Sequence, residues 1–309
     1  MGLWQSLIDP LSFDFFVKGL IVATLSGALL GLIGVYITLR GMSYIGHGLS
    51  HAVFGGFAAS QLFAAQFYVL GAGVWGIASA LAINAVSRRW RIGADAAIGV
   101  ITTGSFALGV ALLSKFGSRG PAFDSALFGS ILGISPVQIW GLLAVAALTG
   151  ALIFFRYRAL MFTTFDPEVA DASGVDVKRT DSMLMIVLSL TILATLTVIG
   201  VTLVAAMLVI PAVVARMITD SFGRMLAWSC GIGAACGLVG MYLSYYAGVP
   251  SGTMIVLAGT AVFTLAITAR SISAAVLRRS TRSADPSDDR SPSDHGVVVG
   301  SARAGVAER

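Results

Sequence analysis

Nine windows of 16 to 25 residues, each almost free of charge and rich in Leu, Ile, Val, Ala and Phe, set the terms for this chain. They are Phe15–Leu39, Tyr44–Ala64, Tyr68–Ser87, Asp95–Ser114, Pro136–Phe155, Ser182–Ile199, Thr202–Met217, Met225–Tyr245 and Thr253–Ser273. A helix needs about 20 apolar residues to cross a hydrocarbon core, and backbone polar groups in lipid must be satisfied within the segment. The windows therefore predict an all-α, polytopic integral membrane bundle of about nine transmembrane helices. Only 11% of the 309 residues are charged, with a net charge of +5, against about 25% in soluble domains. Of the 35 charged side chains, 11 fall in residues 274–309. The first 273 residues thus carry too little charge to solvate a globule. They are read as one transmembrane domain, and 274–309 as a disordered cytoplasmic tail. His295, inside that tail, is read as simply solvated.

Positive charge orients the windows. Arg40 follows the first, Arg88, Arg89 and Arg91 the third, and Arg156 and Arg158 the fifth. Arg216 and Arg224 follow the seventh, and Arg278, Arg279 and Arg282 the ninth. If all these lie in the cytoplasm, the count alternates, with the N-terminus outside and the C-terminus inside a plasma-membrane protein. The same parity separates the sixth and seventh windows, which only Gly200 and Val201 divide. Placed between apolar spans, the basic residues mark loops rather than a nucleic-acid groove. Asp9 and Asp14 stand where a cleavable signal would be basic, so the first span is expected to remain. Cys230 and Cys236 build no disulfide framework and read as small packing residues.

Two connections exceed what linkage requires. Residues 117–135, GSRGPAFDSALFGSILGIS, alternate glycine with large apolar residues, which suggests a re-entrant or interfacial segment. Residues 157–181 contain FDPEVADASGVDVKRTD. Here Asp166 can cap a helix, with Pro167 at its first position, Glu168 in its first turn and Gly174 as its stop.

Chemistry-bearing motifs are sparse. None of the three lysines follows a glycine, so no G-x-x-x-x-G-K phosphate loop exists and the chain is not expected to hydrolyse ATP by itself. No H-E-x-x-H, no G-x-S-x-G and no paired intramembrane carboxylates occur. The chain reads as a conduit and not an enzyme. Intramembrane ionisable residues default to function. Here they are His47 and His51, four apart and so on one helix face, a spacing at which two imidazoles can share a divalent cation. The alternative is that each bonds a neighbour such as Ser43 or Ser50. Asp95 opens its window in GADAAIGV and reads as a helix cap at a positive dipole end. Thirty-six glycines, in runs such as SGALLGLIG and GIGAACGLVG, allow close helix approach. Pro211 is expected to kink the seventh span.

The stretch GLIGVYITLRGMSYIGHGLSHAVFGG resembles the first signature of the permease subunits of zinc/manganese-type ABC importers, the ABC-3 family. The resemblance continues in order through DAAIGV, ALFGSILGIS, FDPEVADASGVDV, GVTLVAAMLVIPAVVARMITD and GMYLSYYAGVPSGTMIVLAGTAVF, over roughly residues 15–270. It implies a type II ABC importer-like permease that works as a homodimer in the lipid membrane. Two cytoplasmic ATP-binding subunits and an extracellular metal-binding protein are its implied partners. It also implies a cytoplasmic coupling helix within 166–179, with Asp166, Pro167, Glu168, Asp171 and Gly174 meeting the ATPase. In the family, the GHGLSH segment usually carries an Asp followed four later by a His, both thought to meet the metal. His51 matches that His, whereas His47 stands in place of the Asp. Imidazole suits zinc and carboxylate suits manganese, so the exchange favours zinc as cargo, with manganese next and no resident cofactor. Asp95 and Pro211 are assigned structural or gating roles. The alternative is a permease for a metal chelate or cobalamin-like ligand, with a wide apolar cavity. A secondary transporter would need membrane carboxylates that this chain largely lacks, and a passive scaffold would leave the histidine pair unexplained.

Overall fold

The computed structural model describes residues 8–60, 68–89, 93–116, 134–201 and 203–284. Among them are a 3-10 turn at Asp9–Ser12 and ten α-helices, with no strand. The helices are α1 Asp14–Leu39, α2 Ile45–Ser60, α3 Tyr68–Arg89, α4 Ala94–Phe116 and α5 Pro136–Phe165. They continue as α6 Pro167–Ala172, α7 Val177–Ile199, α8 Val204–Ile218, α9 Phe222–Ala247 and α10 Ser251–Ala284. Seven are long and apolar enough to cross a membrane: α1, α3, α4, α5, α7, α9 and α10. The other two predicted spans are the shorter α2, with 16 residues, and α8, with 15.

The chain divides into two compact units, Met1–Ala266 and Ile267–Arg309. The first holds the bundle. In the second, the described residues are helical as far as Ala284, past the Ser273 boundary drawn from the sequence. Residues 285–309 and almost all of the predicted re-entrant segment 117–135 lie outside the described residues.

Helix α1 is the most enclosed of the seven spans, and glycine explains how. Gly27 lies against the Gly233 backbone of α9, Gly31 against Ser229, and Gly34 against the Leu208 carbonyl of α8; a Cβ at any of them would collide with backbone. Ser229 Oγ donates across the same seam to the Gly31 carbonyl at 2.6 Å. Cys230 and Cys236 are free thiols on α9, half-buried and buried.

Helix α5 overruns its predicted end. Ser135 caps it and forms a reciprocal capping box with Gln138, and the helix then continues through Arg156 and Arg158 to Phe165. Thirty residues rise about 45 Å, more than a hydrocarbon core of about 30 Å. The overrun brings Thr163 and Thr164 beside Arg40, at the end of the bundle where α6 sits.

There the chain turns sharply. The Asp166 carboxylate accepts from the Val169 N–H at 3.0 Å and Pro167 is the first residue of α6, with Glu168 in the first turn. Gly174, at φ +82°, follows in a left-handed turn that disfavours side chains. The helix is shorter than the 166–179 segment suggested. Asp176 caps a new helix by accepting from the Arg179 N–H at 2.8 Å, so Val177–Arg179 belong to α7.

Candidate functional site

Helices α2 and α4 run side by side because small residues face each other along them. Gly48 of α2 meets Ile98 and Thr102, and Gly55 meets the Ser105 carbonyl and Gly109. That close approach carries Phe106 of α4 onto the histidine face of α2. His47 and His51 lie with ring centroids 4.6 Å apart and planes at 75°, Phe106 is 5.1 Å beyond His51, and Tyr44 is 5.4 Å from His47 on the other side. The result is a four-ring ladder with two imidazoles at its centre.

The neighbouring serines do not satisfy those imidazoles. Ser50 Oγ lies 2.8 Å from the His47 carbonyl and 2.9 Å from the Val201 carbonyl, so its proton serves backbone. His51 Nδ1 is buried without a hydrogen-bond partner among the described residues. A buried, unpaired nitrogen costs about 1–3 kcal/mol, and a divalent cation would relieve that cost. The pair is therefore chemically suited to hold a transition ion, with water or further groups completing its shell.

His47 also faces a cavity of about 510 Å³, lined by Gly41, Ser43, Tyr44 and Asp95, and walled by Ala205, Ala206 and Val209 of α8. Asp95 is not a cap. Helix α4 begins at Ala94, and the Gly93 carbonyl accepts from Ala96 and Ala97 at 3.1 and 3.2 Å. Asp95 therefore occupies the first turn, where a carboxylate still meets a positive helix end. Its side chain is exposed. Among the described residues no three His, Cys, Asp or Glu side chains gather closely enough to hold a metal together. Pro211 is buried in α8, two residues beyond the last wall residue; its missing N–H leaves the Met207 carbonyl without a helical partner.

A second cavity, of about 850 Å³, lies between α2, α3 and α4 and is lined by apolar and small residues, with Trp75 and Leu108 among the largest. Trp75 Nε1 donates to Ser105 Oγ at its wall. It shares no lining residue with the His47 cavity.

One cluster escaped the sequence reading. Arg40, at the end of α1, pairs with Asp181 of α7 at 2.6 Å and donates to Thr163 and Thr164 of α5 at 2.9 and 3.1 Å. Arg88, at the end of α3, pairs with the other oxygen of Asp181. The Arg40 and Asp181 side chains are 9% and 12% exposed, and Arg88 is 40% exposed. The only hint was an acid at the mouth of an apolar span, a position that demands a partner. Asp166, Pro167, Glu168, Asp171 and Gly174 are grouped around α6, four residues before the start of α7.

The chain is similar in sequence and fold to known proteins. Manganese transport system membrane protein MntC of Halalkalibacterium halodurans is 37% identical over 258 residues, covering 83% of this chain and 87% of that protein. Chelated iron transport system membrane protein YfeD of Yersinia pestis is 31% identical over 268 residues, covering 86% and 90%. Among solved structures, PsaBC from Streptococcus pneumoniae in complex with Fab superposes with a TM-score of 0.76 at 30% identity, covering 86% of this chain and 95% of that one. The ABC 3 transport family matches residues 12–270, which takes in every helix of the bundle from α1 to α9 and most of α10. With that match, these relatives and a bundle of membrane-spanning helices in agreement, the chain belongs to the ABC 3 transport family of multi-pass membrane permeases.

Proposed function

We propose that this chain is the permease through which an ABC importer passes a divalent transition metal into the cell, manganese first. The carrying observation is the His47–His51 pair on α2, with a buried unpartnered nitrogen and an adjoining cavity. The zinc-first expectation came from the two imidazoles alone. The relatives described above are named for manganese and chelated iron, which moves manganese ahead.

In this reading two copies pair about a two-fold axis, so that two histidine pairs serve one pathway. Two cytoplasmic ATP-binding subunits grip the α6 segments through the Asp166–Gly174 surface, and an extracellular binding protein delivers the ion. The N-terminus lies outside. Arg40, Arg88, Asp181 and α6 gather at one end of the bundle, the end that the positive-inside bias assigns to the cytoplasm. Pro211 and the glycine seams let α8 and α1 shift during alternating access.

The test is metal content in a deletion strain under mild chelation, complemented with wild type or with His47→Ala/His51→Ala. A manganese deficit restored by wild type alone supports both transport and site. Full restoration by the double variant refutes the ligand assignment. A second reading, passage of a metal chelate, is favoured by the 850 Å³ apolar cavity. It predicts that uptake follows a supplied chelate and is unaffected by the free ion.

A further inference from the structure

We infer that Asp95 is a second station for the ion, receiving it from His47 on the way out of the imidazole pair. The inference rests on the reading of His47 and His51 as ligands and extends it by one residue. His47 is common to two environments. On one side its ring lies 4.6 Å from that of His51, which is backed by Phe106. On the other it lines the 510 Å³ cavity, and Asp95 is the only carboxylate among the described residues lining it. His51 does not line that cavity. The three residues therefore run in order, His51, His47, Asp95, from a half-buried position to an exposed one.

That order suits release. The three side chains do not converge on one point, so the ion passes between two-residue stations whose remaining ligands are water. Imidazole binds late transition ions well, whereas a carboxylate is a hard oxygen donor that suits manganese and accepts a partly hydrated ion. No ion pair or hydrogen bond to the Asp95 carboxylate occurs among the described residues, so its oxygens are available. Helices α2 and α4 both begin beside the cavity, at Ile45 and Ala94. Their partial positive ends weaken the hold on any cation there. A station that offers an oxygen ligand in an electropositive setting binds briefly and lets go.

The test uses the full-length permease with its ATPase in proteoliposomes and Mn2+ as the probe. Bound Mn2+ is read from loss of the aquo-ion EPR signal, and release from a single ATP-driven turnover. Asp95→Asn is expected to leave equilibrium binding within about threefold of wild type while slowing release by about tenfold or more. Asp95→Glu should restore release. His47→Ala and His51→Ala should lose the binding itself. Wild-type release by Asp95→Asn overturns the relay. So does full release by Asp95→Ser, which can support the first helical turn without a carboxylate, or a loss of binding in Asp95→Asn as deep as in His47→Ala. Unchanged binding in both histidine variants would instead sink the underlying site, whatever Asp95 does.

Discussion

Replacing Asp181 with asparagine keeps its volume and removes its charge. Arg40 is then a guanidinium 9% exposed, held among the described residues only by the hydroxyls of Thr163 and Thr164. Breaking a buried ion pair from one side costs about 3–5 kcal/mol, because the remaining charge is buried and uncompensated. Arg88, 40% exposed, can turn to water, so its share is about 0–1 kcal/mol. The threonine hydroxyls offset part of the loss at Arg40, which places the net cost near the lower bound, about 3 kcal/mol. For a chain of 309 residues that corresponds to about 5 °C in melting temperature, at about 2.1 cal/mol/K of unfolding entropy per residue. The assay is thermal unfolding of the detergent-solubilised full-length protein, followed by size-exclusion at each temperature. Because Arg40 and Asp181 are nearly dry, the loss should persist between about 0.1 M and about 1 M salt, where an exposed pair would be screened. Arg40→Met/Asp181→Leu should recover most of the stability, since removing both charges removes the desolvation cost as well. An Asp181→Asn protein melting within about 1 °C of wild type, or a double variant worse than either single one, would refute a buried clamp at this position.

The glycine seam predicts that Gly27→Val, whose Cβ would run into the Gly233 carbonyl, destabilises the bundle by at least about 1–3 kcal/mol. It should show as lost yield and an early melt, whereas Gly231→Ala, whose added Cβ would meet open space, gains about 0.5–1 kcal/mol of helix stability. Asp166→Ala removes the α6 cap and about 1 kcal/mol from that short helix. Co-purification with the ATPase should fall while the melting temperature of the permease stays unchanged. Ser50→Ala strips the Val201 carbonyl of its only described hydroxyl partner and should cost about 1–2 kcal/mol, read as a lowered melt together with slower uptake.

Much of this architecture is written in local pattern. The hydrocarbon requirement with charge parity locates nine helices, and the Asp-Pro-Glu run with Gly174 specifies α6, its cap and its stop. The histidine pair needs only the four-residue spacing of one helix face. What escaped is the part made by distant residues. Arg40 and Arg88 read as loop charges because nothing near them in sequence reveals Asp181, 141 and 93 residues away. Asp95 reads as a cap because Asp favours that position, yet Gly93 supplies the carbonyl that starts α4. The end of α5 was placed at Phe155 because hydropathy marks the bilayer boundary. Helix propensity does not stop there, and the first breaker downstream is Pro167.

Helix α7 joins two places that matter separately. Four residues separate it from α6, it is pinned near its beginning through Asp181, and it ends at Ile199, beyond which the Val201 carbonyl meets Ser50, which lies between the two histidines in sequence. Its 23 residues make a rod of about 35 Å. Pivoted at Asp181, about 27 Å from its far end, a tilt of about 3° sweeps that end through roughly 1.4 Å. That displacement exceeds the tolerance of a hydrogen bond, so a small push at α6 is geometrically magnified into making or breaking the Ser50 contact, and the imidazoles ride on the same turn of α2.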